Sequence, residues 1–250
     1  MDRLIYTAMT GARALFDRQA TVSNNLANAS TTGFRAELTA YRTAPVIPGR
    51  PGEGQMTRYM AVDSITGLDV TPGPLEKTER QLDVAINGAG WFTVQAADGS
   101  EAYTRDGRFD IDSNGQLVTR EGLPVLGEGG PIIVPQDARV VIGGDGTISA
   151  VAGGGSSAQV QQLGRLQLVN PDPANLTKRP DGLIGTRDGN PADPDPTVRV
   201  AQGSIEGSNV NPVGTLVDMI SLARQFEVQM QMIKKADENG QKSQQLLSNS

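Results

Sequence analysis

Apolar residues recur every three or four positions at both ends of the chain, and no comparable series lies between. From Ile5 the series runs through Ala8, Ala12, Leu15, Gln19, Val22, Leu26 and Ala29, a heptad a/d ladder with one polar break. It predicts a helix over residues 3–29, about 40 Å long at about 1.5 Å per residue, with Asp2 as its cap. Asn28, Ser30, Thr31, Thr32 and Gly33 are its stop signals. Near the other end, Leu216, Met219, Ala223, Phe226, Met230 and Ile233 repeat the spacing, and the register continues through Asp237, Gly240 and Gln244 to Leu247. Pro212 suits the first turn, with Asn209 or Asn211 as cap. The seam is strong up to Ile233 and weak beyond it, so fraying is expected in the last turns. Neither seam can be buried by its own helix. Each needs the other, or a neighbouring molecule.

Between the ladders the period falls to two. Leu82, Val84 and Ile86 alternate with Asp83, Ala85 and Asn87. Short apolar runs follow at Trp91–Val94, Ala102–Thr104, Phe109–Ile111, Gln116–Val118, Pro124–Leu126, Ile132–Val134, Arg139–Ile142, Thr147–Ser149 and Leu163–Val169. The breakers between them include Asp98-Gly99, Asp106-Gly107, Asn114-Gly115 and Asp145-Gly146, which are turn formers. This predicts a run of hairpins, hence an antiparallel sheet domain over roughly residues 75–200. Two stretches read as loops or linkers. Residues 42–60 hold Pro45, Pro48, Pro51 and several glycines, and residues 170–197 are rich in Pro and Asp. Gly153 to Ser157 read as a hairpin tip or short linker. The expected class is α+β: terminal helices forming a coiled-coil-like pair, and a central antiparallel β domain. The divisions are 1–35, an extended linker over 36–74, the β domain over 75–200, and a C-terminal motif and helix over 201–250.

Composition narrows the chemistry. The 250 residues contain no Cys and no His. That removes thiol nucleophiles, disulfides, Cys/His zinc sites and an imidazole base. The net charge of -6 argues against nucleic acid as a partner, which calls for a basic stripe. Gly 30 and Pro 15 point to turn-rich structure with polar loops. No run of 18 apolar residues exists to span a membrane, and no apolar leader segment follows the first basic residue.

Two carboxylate patterns invite a chemical reading. Asp110, Asp112, Asn114-Gly115 and Glu121 satisfy the calcium-loop expression, with oxygen ligands of the right hardness. The flanks read as strands where that loop requires helices, so an Asn-Gly hairpin is the simpler account. Asp106, Asp110, Asp112 and Glu121 are also close enough in sequence to imitate a glycosidase pair, but charged hairpin tips are usually solvated. No phosphate-binding glycine loop follows a strand. No catalytic residue, cofactor or metal site is therefore expected. The polar segment Asn24 to Arg35 reads as a helix end whose side chains compete with the backbone, then a Gly stop, then an aromatic anchor.

That segment also carries a resemblance. Asn25-Leu26-Ala27-Asn28-x-Ser30-Thr31-x-Gly33-Phe34 resembles the N-terminal signature of the bacterial flagellar rod and hook family. Glu206 to Val213, continuing to Arg224-Gln225-Phe226-Glu227, resembles that family's C-terminal signature. Leu82-Asp83-Val84-Ala85-Ile86-x-Gly88-x-Gly90-Trp91-Phe92 and Tyr103-Thr104-Arg105-x-Gly107-x-Phe109 resemble its shared sheet domain. The opening Met1 to Ala12 and the run Ala27 to Leu38 are most similar to the family's proximal-rod members, with distal-rod members as the close paralogues.

The resemblance implies a structural subunit of the flagellar basal-body rod, not an enzyme. Its partners would be further copies of itself, other proximal and distal rod subunits, and the flagellar type III export apparatus, with no cleaved signal peptide. It would lie in the periplasm-spanning rod of the basal body. A distal-rod or hook-like subunit is the alternative within the family, and a secreted calcium-binding β module the alternative outside it. The residues expected at assembly interfaces are Ile5, Leu15, Val22 and Leu26 on the first helix and Asn25, Asn28, Gly33 and Phe34 at its end. On the second they are Asn209, Leu216, Ile220, Phe226, Met230 and Ile233.

Overall fold

Residues Asp2–Ala27 form helix α1 and Pro212–Ser248 form helix α2 in the computed structural model, which describes residues 2–45, 59–135, 138–152 and 159–248. Both helices belong to the first of two units, which comprises Met1–Ala27, Glu37–Gly67 and Asn211–Ser250. The second comprises Asn28–Ala36 and Leu68–Val210. The α+β class holds, with helices at both ends of a central antiparallel β region.

In the helical unit, Ala8 and Leu222 are buried and Gln229 Nε2 donates to the Ala8 carbonyl at 3.2 Å. Gly11 permits this approach, because a Cβ there would stand 2.7 Å from Gln229 Nε2. With Ala8 opposite Gln229, the rest of α1 can cover Leu222, Met219 and Thr215 only if the helices run antiparallel. The shielded face of α1 carries Ala8, Ala12, Leu15, Gln19, Val22 and Leu26, the ladder expected from the sequence. The side chain of Ile5 lies outside the described residues.

On α2 the shielded stripe is Thr215, Met219, Leu222, Phe226, Gln229, Ile233 and Ala236. Met219, Phe226 and Ile233 belong to the expected seam; Leu216, Ala223 and Met230 do not, and lie exposed. The cause is that the first half of α2 is apolar on two faces. Periodicity alone could not choose between them. Asn211 is the cap: its Oδ1 accepts from Gly214 N at 3.1 Å, and Pro212 opens the helix.

Strands β1 (Glu37–Pro45) and β2 (Tyr59–Leu68) pair as a two-stranded sheet within the stretch expected to run as an extended linker. Residues 46–58, the centre of that expectation, lie outside the described residues. Asn25 ties β1 to α1 by a two-point clasp. Its Nδ2 donates to the Glu37 carbonyl and its Oδ1 accepts from Glu37 N, both at 2.9 Å.

The β unit begins with β3 (Leu75–Lys77), β4 (Val84–Asn87), β5 (Trp91–Gln95), β6 (Glu101–Thr104), β7 (Phe109–Ile111) and β8 (Leu117–Thr119). It continues with β9 (Leu126–Gly127), β10 (Gly130–Pro131), β11 (Arg139–Ile142), β12 (Thr147–Ala152) and β13 (Gln159–Arg165). It closes with β14 (Leu168–Val169), β15 (Leu176–Lys178), β16 (Ile184–Thr186), β17 (Arg199–Gln202) and β18 (Ser204–Glu206). A five-stranded sheet has the order β14-β5-β6-β16-β15, a three-stranded sheet the order β11-β12-β13, and β4 pairs with β17, β3 with β18 and β7 with β8. Residues 153–158, the expected hairpin tip, lie outside the described residues.

Successive side chains of β5 enter different cores. Phe92 and Val94 join Phe109, Leu117, Ile148 and Leu166 on one face, with Phe92 and Phe109 edge to face at 5.2 Å. Trp91 joins Tyr103, Val169, Leu176 and Ile184 on the other. The stretch 170–197, expected as a loop, supplies Leu176 and Ile184 of that second core. Arg179-Pro180-Asp181-Gly182 is a turn between β15 and β16, and the hairpin extends the sheet through Ile184 opposite Tyr103.

Nine aspartates of the β unit have a common role. The Oδ1 of Asp69, Asp98, Asp106, Asp112, Asp145, Asp172, Asp181, Asp188 and Asp195 accepts from the backbone N–H two residues on. These Asx turns stabilise the tips between strands. Asp112, the centre of the calcium-like pattern, also accepts from Gln116 N at 2.7 Å, and Asp110 pairs with Arg80. The flanks are β7 and β8, not helices, and among the described residues no group of three or more carboxylates is arranged to hold a metal ion.

Candidate functional site

Residues from both sequence signatures meet in the β unit around one buried carboxylate. Glu206, on β18, is 1% exposed. Its Oε1 accepts from Arg35 Nη2 at 2.6 Å and from Gly73 N at 2.8 Å, and its Oε2 accepts from Arg105 Nη1 at 2.8 Å. Its backbone carbonyl accepts from Gly33 N at 2.7 Å. Arg105 Nη2 donates to the Gly88 carbonyl at 2.7 Å. Both guanidiniums lie against Trp91, at 6.0 Å for Arg35 and 5.3 Å for Arg105. Burial above all draws the Arg105 pKa down to about 10, opposed by Glu206 and reinforced by Arg35, so the group stays charged at neutral pH.

Gly33 is fixed by geometry. Its φ is 70°, and a Cβ would lie 2.3 Å from Asp106 N. Any side chain would drive the N-terminal segment off the β unit. Phe34 follows, half-buried, with Lys178 Nζ 5.1 Å above its ring. Asn28 closes the end of α1, its carbonyl accepting from Thr31 N at 3.1 Å. Asn209 is not a helix cap but a second clasp. Its Oδ1 accepts from Ala36 N at 2.8 Å, and its Nδ2 donates to the carbonyls of Asp69 and Thr71.

The expected site residues whose side chains are described therefore divide into three sets. Asn25, Asn28, Gly33, Phe34 and Asn209 hold the chain's own backbone together. Leu15, Val22 and Leu26 sit on the shielded face of α1, and Phe226 and Ile233 on that of α2. Leu216, Ile220 and Met230 are exposed, together with Val213 and Val217. On a helix of 3.6 residues per turn, Val213, Leu216, Val217 and Ile220 fall on one stripe opposite the stripe that meets α1. On α1, Met9 and Phe16, seven residues apart, form a smaller exposed pair, Phe16 at 64%. The periodicity missed Arg35, Arg105, Trp91 and Glu206 as a unit. A Glu in a short strand reads as solvated, and nothing local marks it as the partner of two distant arginines.

Comparison with known proteins places these signatures. Residues 5–35 match the family described as flagella basal body rod protein, residues 85–150 the FlgE/F/G D1 domain of the flagellar hook protein, and residues 201–246 the C-terminal region of flagellar basal body rod FlgEFG proteins. The chain is 46% identical to the flagellar basal-body rod protein FlgF of Escherichia coli K12, over 99% of both chains.

The chain belongs to the flagellar basal-body rod protein family.

It is also 35% identical to FlgF of Caulobacter vibrioides, over 95% of both chains. It is 35% identical to FlgG of Buchnera aphidicola subsp. Schizaphis graminum, over 97% of this chain and 98% of that one. The Arg35–Glu206–Arg105 junction thus joins the two terminal signatures of a rod-family chain to its D1 sheet. Among the described residues no helix is long and apolar enough to cross a membrane.

Proposed function

We propose that this chain is a structural subunit of the bacterial flagellar basal-body rod, in its proximal part, and that it polymerises through its terminal helices into the drive shaft. The observation that carries this reading is the apolar stripe Val213, Leu216, Val217 and Ile220, uncovered on α2 opposite the stripe that packs on α1. A helix apolar on two faces needs a second partner. In a rod-family chain that partner is another subunit, a copy of this chain or a neighbouring rod protein. Heterologous contacts of this kind propagate as a helical array. Export by the flagellar type III apparatus suits a chain that has no Cys to oxidise. The function is mechanical, without catalysis, and its place is the basal body.

The test is an in-frame deletion, complemented with wild type or Ile220→Asp, with electron microscopy of purified basal bodies. Expected is a stall before the hook with loss of swimming, rescued by wild type and not by Ile220→Asp, while the purified variant keeps a wild-type β-unit thermal transition. Normal rods in the deletion strain would overturn the reading. The stage of the stall distinguishes a proximal from a distal role.

A further inference from the structure

We propose that the cavity in the β unit between Phe34, Arg35, Trp91, Arg105 and Ile184 is a binding site for a carboxylate group. Its volume is about 50 Å³, room for one carboxylate or a few waters. Arg35, Trp91, Tyr103, Arg105 and Ile184 are buried, while Phe34, Lys178 and Gly182 are at least partly exposed, so the pocket has a buried floor and an open mouth.

Charge and hydrogen bonding both leave this floor incomplete. Arg35 and Arg105, 3% and 2% exposed, share the single carboxylate of Glu206. Two cations therefore face one anion. Arg35 Nε, Arg35 Nη1 and Arg105 Nε are buried and have no hydrogen-bond acceptor among the described residues. Native proteins rarely leave such donors without a partner. The face of Trp91 attracts both guanidiniums but does not neutralise them. A second carboxylate would balance the charge and match the planar donor fork of a guanidinium. It would enter past Lys178, whose ammonium lies over the Phe34 ring at the mouth. Two sources share this chemistry: an acidic side chain of a neighbouring subunit, and a free small carboxylate. The site stands on the β unit alone and does not depend on the rod assignment.

Trp91 is the chain's only tryptophan and therefore a built-in reporter. The full-length chain is titrated with sodium acetate, against sodium chloride at matched ionic strength, and Trp91 emission is read. Acetate is expected to give a saturable change that chloride does not. Arg105→Gln is the obvious variant but threatens the fold. Lys178→Gln, at the mouth, is expected to raise the half-saturating acetate about three- to tenfold with thermal unfolding unchanged. A dilution series without acetate separates the sources. Emission that depends on protein concentration, and that acetate reverses, assigns the site to a second copy's carboxylate; concentration-independent emission with saturable acetate binding assigns it to a free carboxylate. The proposal is overturned if acetate and chloride act alike in wild type and Lys178→Gln and emission is independent of protein concentration.

Discussion

The β unit and the helical unit place their apolar residues in opposite ways. Among the described residues, the buried apolar residues of the helices are Ala8 and Leu222, and the other buried apolar residues belong to the β unit. Conversely, Val213, Leu216, Val217, Ile220, Val228, Met230 and Met232 are all exposed on α2. One unit completes its core from its own chain. The other has a thin seam and an uncovered face. The two are expected to unfold separately, the helices at lower free energy, because shallow burial and exposed backbone mark the parts of a protein that open first.

The harshest test of that contrast is the junction carboxylate. Glu206→Gln leaves two buried guanidiniums without their anion. It should destabilise the β unit by about 3–5 kcal/mol, read from urea unfolding followed by Trp91 fluorescence. A loss under about 1 kcal/mol would mean that Glu206 does not hold the β unit's charge balance. Replacing it with an apolar residue of similar size is not an equivalent test, because the arginines would remain.

A smaller and more local effect is expected from the helical seam. Leu222, on the shielded stripe of α2, is 2% exposed and is the large buried side chain among the described residues of the two helices. Leu222→Ala should cost about 2–4 kcal/mol in helical pairing. Hydrogen exchange should show faster exchange along α1 and α2, with the amides of β5 and β6 unchanged. Equal loss of protection in β5 and β6 would show that the two units are energetically one.

The smallest effect lies at the turn tips. Ser100, through its side chain and backbone N–H, and Arg179 hold the Asp98 carboxyl at a pKa of about 2, below the usual 3.8. A carboxyl depressed in the folded state contributes stability that is present above its unfolded pKa and is lost as pH falls toward the folded one. That window runs from about pH 4 to about pH 2. Asp98→Asn should therefore narrow the difference between thermal midpoints measured at the two ends of the window. An unchanged difference would show that the tip does not contribute to acid lability.

What the chain's own order determined follows from local rules. Heptad spacing marks both helices and the correct face of α1. Alternation and Asp-Gly or Asn-Gly pairs mark most strands, and the Asx turns explain why so many aspartates stand in an otherwise apolar sheet unit. The Arg179-Pro180-Asp181-Gly182 turn was also present in the sequence, but the surrounding prolines masked the hairpin that it closes. Tertiary structure alone decided the rest. Which of two apolar stripes on α2 meets α1 is set by how the two helices pack, and periodicity cannot see a partner. The partnership of Arg35, Arg105 and Glu206 spans 171 residues. Its cause is a buried charge seeking compensation in a low-dielectric interior, and a residue's burial is set by the whole fold, not by its neighbours in sequence.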